Sequence, residues 1–213
     1  MDIKENLKNL LNSIPNEINL VAVSKTKPVS DIKEAYEYGQ RIFGENKVQE
    51  LEKKHSELPS DIEWHMIGHL QSNKVKFIAP FISLIHGVDS LKLLKEINKR
   101  ARQNNRIINC LLQVHIASES TKFGFDIEQI EYILEEGTNL ENICVKGLMG
   151  MATFTDKNAQ IISEFENINN LFKKIKNQEI NTLSIGMSGD YKIAINNGST
   201  MIRIGSAIFG KRN

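Results

Sequence analysis

Residues 182–210 read TLSIGMSGDYKIAINNGSTMIRIGSAIFG: an apolar run from Thr182 to Met187, a small-residue turn with a helical AIN segment, a second apolar run from Met201 to Gly205, and AIFG. Strands alternating with helices imply a parallel sheet, because a right-handed crossover returns the chain to the same edge. The pattern extends backwards through Val145 to Met151, Cys110 to Ile116, Ser83 to Val88, Trp64 to Gly68, Arg41 to Gly44 and Leu20 to Ser24, which makes eight candidate strands. Between them lie segments such as Leu91, Leu94, Ile97 and Ala101, apolar at helical spacing with charges on the opposite face. Ahead of them, Ile3, Leu7, Leu10, Leu11 and Ile14 form one face of a helix that stops before Pro15. The expected fold is α/β, a single (β/α)8 TIM barrel with an additional N-terminal helix. An open doubly wound sheet is the alternative, but it usually carries a Gly-rich fingerprint after its first strand, and here that strand leads into SKTKP.

The 213 residues are 40% hydrophobic, and 27 Lys and Arg against 26 Asp and Glu leave a formal charge of +1. Such a balance offers no field for a nucleic-acid backbone, so no nucleic-acid partner is expected. Gly and Pro are too few for a low-complexity chain, and no linker or composition shift divides it; residues 1–213 are expected to form one domain. The opening MDIKENLKNL is charged through its first turns and shows no secretory signal. The longest nearly apolar run, Phe77 to Ile85, is about half of what a bilayer requires. Neither export nor a membrane is expected, and the chain is assigned to the cytoplasm. Cys110 and Cys144 lie in strand-like runs that suit buried reduced thiols, and the histidines show no HxxH or HxH spacing, so no metal is expected.

In such barrels the working residues lie at the carboxyl ends of the strands. Val21, Val23 and Lys25 share one side of the first strand by two-residue alternation, which aims Lys25 at the barrel mouth. An amine that attacks an aldehyde must lose its proton near neutral pH, and a neighbouring cation or apolar wall favours that loss. Lys27 and the apolar strand ends are therefore expected to make Lys25 a Schiff-base nucleophile; the competing reading is a pair of solvated loop lysines. Ser188-Gly189-Asp190 and Gly205-Ser206 present backbone N–H groups and hydroxyls at helix starts, which suits a phosphate. The same spacing fits Ser188 and Ser206 as helix caps with Asp190 as a first-turn acid. Arg203 is expected to point to the mouth, toward a ligand or toward Glu45 or Asp89. Asn46 either binds a ligand or caps the next helix, and His65 and His115 read as satisfied barrel residues.

Five motifs in one order, VAVSKTKP, GENKVQE, WHMIGHLQSNK, GLMGMATF and LSIGMSGDYKIAINNGSTMIRIGSAIFG, resemble the pyridoxal phosphate homeostasis protein family from about Leu20 to Lys211. The resemblance implies a barrel related to the N-terminal domain of alanine racemase, with pyridoxal 5′-phosphate held as an aldimine on Lys25. It implies a phosphate on Ser188, Gly205 and Ser206, Arg203 against the pyridine nitrogen, and Asn46 and Met187 beside the cofactor. His115 departs from the family, which often has asparagine there; Lys122 matches its pattern without an assigned role.

The function implied is intracellular vitamin B6 homeostasis: storing the cofactor or delivering it to apo-enzymes that use it. The alternative is a small fold-type III racemase of amino acids. Racemisation needs proton donors and acceptors on both faces of the substrate, and those racemases take the second group from another domain across a dimer interface. Few residues follow Ser206, so neither that domain nor its dimer is expected, and a monomer is. A cation against the pyridine nitrogen also weakens the ring as an electron sink, which favours a holder over a catalyst. A Schiff-base aldolase is the weakest reading, since its lysine typically lies on a later strand.

Overall fold

A computed structural model describes residues 2–119 and 121–210. Eight parallel strands close into a barrel in chain order: β1 (Asn19–Val23), β2 (Ile42–Glu45), β3 (Glu63–Met66), β4 (Leu84–Val88), β5 (Ile108–Val114), β6 (Ile143–Gly150), β7 (Thr182–Met187) and β8 (Met201–Ile204). Closure is by β8 against β1, with Leu20 opposite Ile202 and Val21 opposite Arg203. Around them run α1 (Ile3–Ser13), α2 (Val29–Glu37), α3 (Val48–Glu57), α4 (Val75–Ile78), α5 (Leu91–Gln103), α6 (Ile130–Gly137), α7 (Asn158–Ile175), α8 (Tyr191–Asn196) and α9 (Ser206–Phe209). The barrel and its N-terminal helix are thus as the sequence predicts.

Two-residue alternation sorts the strand side chains into two cores. Val21, Val23, Leu84, Leu111, Met149 and Met201, with Ile67 just past the end of β3, fill the lumen. Leu20, Ala22, Phe43 and Trp64 face outward and pack beneath the helices. α1 fastens the first unit to the last: Asp2 caps it through Glu5 N at 2.9 Å, Ile3 N donates to Glu34 on α2 at 3.1 Å, and Asn6 donates to the carbonyl of Ile208 on α9 at 2.9 Å.

Several strand limits differ from the expected ones. β1 ends at Val23 and β5 at Val114, so Lys25 and His115 lie in the loops beyond. In β1 the cause is a tight turn in which Lys27 N donates to Ser24 O at 3.0 Å. The pairing of β5 with β6 shifts between Cys110 and Leu111, and the shift is accommodated at Gly147, whose φ is +152°. Cys110 is buried, and burial pushes its thiol pKa up; Cys144 is only half-buried, contrary to the expectation for both. Among the described residues no helix is long and apolar enough to cross a membrane, and no cluster of three or more His, Cys, Asp or Glu is placed to hold a metal.

Candidate functional site

A cavity of about 570 Å³ opens at the carboxyl ends of the strands. Each of the seven residues expected at a site lines it: Lys25, Asn46, Met187, Ser188, Arg203, Gly205 and Ser206. Lys27 and Lys122 line it too, with Asp156 and Asp190 as its carboxylates. Val23 is also in the wall, so the alternation that leads from Val21 through Val23 to Lys25 survives the end of the strand. Lys27 Nζ donates to the carbonyl of Phe209 at 2.7 Å, which ties the loop after β1 to α9.

Arg203 is buried in the lumen, yet it meets neither of the acids expected for it. Its guanidinium donates to Ser184 O at 2.8 Å, Ser184 Oγ at 2.6 Å and Gly150 O at 3.0 Å. Glu45 cannot serve, because Gly44 occupies the inward position of β2, where an added Cβ would meet Val21 and Ile67, and Glu45 therefore faces the helices. There it accepts from Ser24 and Lys54, while Asp89 is taken by His69 at 2.8 Å. Burial lowers the Arg203 pKa to about 10, with Asp190 opposing the shift, so the side chain remains a cation at neutral pH.

Behind Arg203 a polar chain crosses the lumen. Ser184 Oγ lies 3.1 Å from His86 Nδ1, and His86 Nε2 lies 3.0 Å from His65 Nδ1. Burial pushes both histidines down, His65 to about 3, and His65 and Arg203 depress His86 further. Both rings are neutral. Arg203 can only donate, so a fully satisfied chain has Ser184 donating to His86 Nδ1 and His86 Nε2–H donating to His65. His65 is thus the satisfied barrel residue the sequence suggests. His115 sits in its loop with Nε2 at 2.9 Å from Glu119 O.

The turns after β7 and β8 meet each other. Gly205 N donates to Ser188 Oγ at 3.3 Å, and Asp190 Oδ1 accepts from Met187 N at 2.6 Å. Burial raises the Asp190 pKa, against the Met187 N–H and the Arg203 charge. Neither serine caps a helix through its side chain: Asp190 precedes α8 and Gly205 precedes α9, both without a side-chain cap bond. Asn46 is no cap either, since Lys47 holds that position before α3, and Asn46 Oδ1 is buried without a partner.

Sequence reasoning missed the wall formed after β6. Thr153 is held by Glu164 of α7 through its N–H at 2.7 Å and its hydroxyl at 2.6 Å, and Lys122 Nζ donates to Ala152 O at 2.6 Å. Next to this braced segment Phe154 is 98% exposed at the cavity rim. His86 and Ser184 were also missed. Each stands at an inward strand position, which alternation marks, but their contact requires strands four and seven to face each other across a closed barrel.

A family model of the alanine racemase N-terminal domain matches residues 1–213. Proteins named pyridoxal phosphate homeostasis protein from Haemophilus influenzae and Escherichia coli are 41% and 38% identical over 205 and 208 residues, covering 93% of this chain and 86% and 88% of their own lengths. The structure of PipY from Synechococcus elongatus with PLP bound is 34% identical with a TM-score of 0.89, covering 98% of this chain and 100% of that one. An alanine racemase from Clostridium difficile shares the fold at 14% identity and a TM-score of 0.80, this chain spanning 57% of its length.

Proposed function

The chain belongs to the pyridoxal phosphate homeostasis protein family, and from that membership we propose that it binds pyridoxal 5′-phosphate in this cavity as a Schiff base on Lys25. The observation that carries the reading is the donor set of one cavity: the Lys25 amine, the anchored Arg203 cation, and the hydroxyls of Ser188 and Ser206 at two adjoining turns. These residues fit the group. An aldehyde needs an amine and a phosphate needs cations and hydrogen-bond donors, while the orphaned Asn46 Oδ1 offers an acceptor in the same wall. Ser188, Gly205 and Ser206 would take the phosphate, Arg203 would lie toward the pyridine nitrogen, and Asn46 and Met187 would flank the ring. The relative PipY is described with PLP bound, which supports the same ligand here.

When bound, the cofactor supplies an aldehyde and an electron-accepting ring. Arg203, locked by the β6 and β7 carbonyls and still charged at neutral pH, opposes protonation of a ring nitrogen placed beside it. A site that captures the aldehyde but activates it poorly suits a holder. The chain accordingly acts in vitamin B6 homeostasis, as a single-domain cytoplasmic monomer that stores the cofactor or hands it to apo-enzymes. Adding pyridoxal phosphate should produce an imine absorption band that Lys25→Ala does not form. Alanine incubated with the loaded protein should keep its circular dichroism; sustained loss would make the chain a racemase.

A further inference from the structure

Behind Lys25, on the side away from the cavity, lies a buried ionic cluster. Lys54 of α3 has a side chain only 7% exposed, and its ammonium donates in three directions: to Ser24 O at 2.8 Å, Glu45 Oε1 at 2.7 Å and Glu50 Oε2 at 3.3 Å. Glu45 Oε1 also accepts from Ser24 Oγ at 2.6 Å, and Glu50 Oε2 accepts from Thr26 N at 2.8 Å. The peptide groups on both sides of Lys25 are therefore tied to charged side chains of one helix, the preceding carbonyl to Lys54 and the following amide to Glu50. Between these ties Thr26 adopts a φ of +64°, a left-handed conformation that a β-branched residue enters only when its surroundings hold it there.

A buried carboxylate and ammonium are costly to desolvate, and a fold gains little net stability from such a pair. Placed behind a tightly bent turn, however, they fix backbone geometry that a loop of this sequence would not keep. We propose that Glu45, Glu50 and Lys54 are positioning residues that hold the Ser24–Lys27 turn and so present the Lys25 amine to the ligand aldehyde at a fixed approach. This rests on the assignment of Lys25 as the imine-forming residue. The cluster is aimed at the turn rather than the cavity, since none of its three side chains is in the cavity wall.

Glu50 is the member to vary, because its side chain is 28% exposed and its loss leaves Lys54 paired with Glu45. Glu50→Ala removes the acceptor for Thr26 N, whereas Glu50→Gln keeps an acceptor oxygen without the charge. Three readings separate positioning from general damage: the rate of imine formation with pyridoxal phosphate, the affinity for pyridoxine 5′-phosphate, an alcohol that cannot form an imine, and hydrogen exchange at the Thr26 amide. Glu50→Ala should slow imine formation about tenfold, leave the alcohol's affinity within about twofold, and accelerate Thr26 exchange, with Glu50→Gln recovering most of both losses. An unchanged imine rate in Glu50→Ala, or an equal loss of affinity for the alcohol, overturns the proposal. If the wild-type chain forms no imine on Lys25, the ligand assignment fails instead. Thr26 exchange then decides whether the cluster holds the turn: acceleration in Glu50→Ala with recovery in Glu50→Gln upholds it, and no change refutes it.

Discussion

His65 and His86 show how strongly the lumen constrains single residues. An unfolded chain protonates both near the ordinary histidine value of 6.5, but burial holds His65 neutral in the fold until about pH 3 and His86 well below its usual range. The unfolded state therefore binds more protons throughout that window, and stability falls as pH drops from 6.5 toward 3, by up to about 1.4 kcal/mol per pH unit for His65, with His86 acting in the same direction. Ring ¹⁵N shifts should report both imidazoles neutral at pH 5, with the denaturation midpoint lower there than at pH 7; a protonated ring or a flat midpoint would contradict the network. Lys25 was legible at this scale because Val21 and Val23 set an inward phase that the turn preserves. Arg203 was legible in direction but not in partners, since two of its three acceptors are the carbonyls of Gly150 and Ser184, which carry no side-chain signature, and the third, the Ser184 hydroxyl, comes from the neighbouring strand.

At the level of elements, all eight strands could be read from short apolar runs, and β7 matches at both ends, whereas several other ends could not be read, because turn hydrogen bonds such as Lys27 N to Ser24 O stop a strand without altering its composition. The register shift between β5 and β6 was equally hidden. It places Gly147 at a φ of +152° with an ideal Cβ only 1.8 Å from Thr182 O, so β6 can approach β7 there only without a side chain. Gly147→Ala should lower stability by roughly 3 kcal/mol or more, measured by chemical denaturation. A loss below that of an ordinary surface change would mean the strands can part at little cost. The serine turns illustrate a third limit: spacing allowed capping and ligand binding equally, and the absence of side-chain cap bonds at α8 and α9 became visible only in three dimensions.

For the whole molecule, the net charge of +1 conceals an uneven distribution. Lys25, Lys27, Lys122 and Arg203 line the cavity against Asp156 and Asp190, so an otherwise nearly neutral protein presents a cationic mouth to an anionic ligand. Affinity for pyridoxal phosphate should weaken as salt is raised from low to physiological strength and beyond, while the affinity of phosphate-free pyridoxal should change much less. Equal salt dependence for the two would remove the phosphate from its assigned turns. The covalent bond to Lys25 can be read by reducing the loaded protein with borohydride and mapping the labelled peptide by mass spectrometry. A single pyridoxyl adduct, on Lys25, is expected; an adduct on Lys27, Lys122 or another amine, or none at all, refutes the assignment.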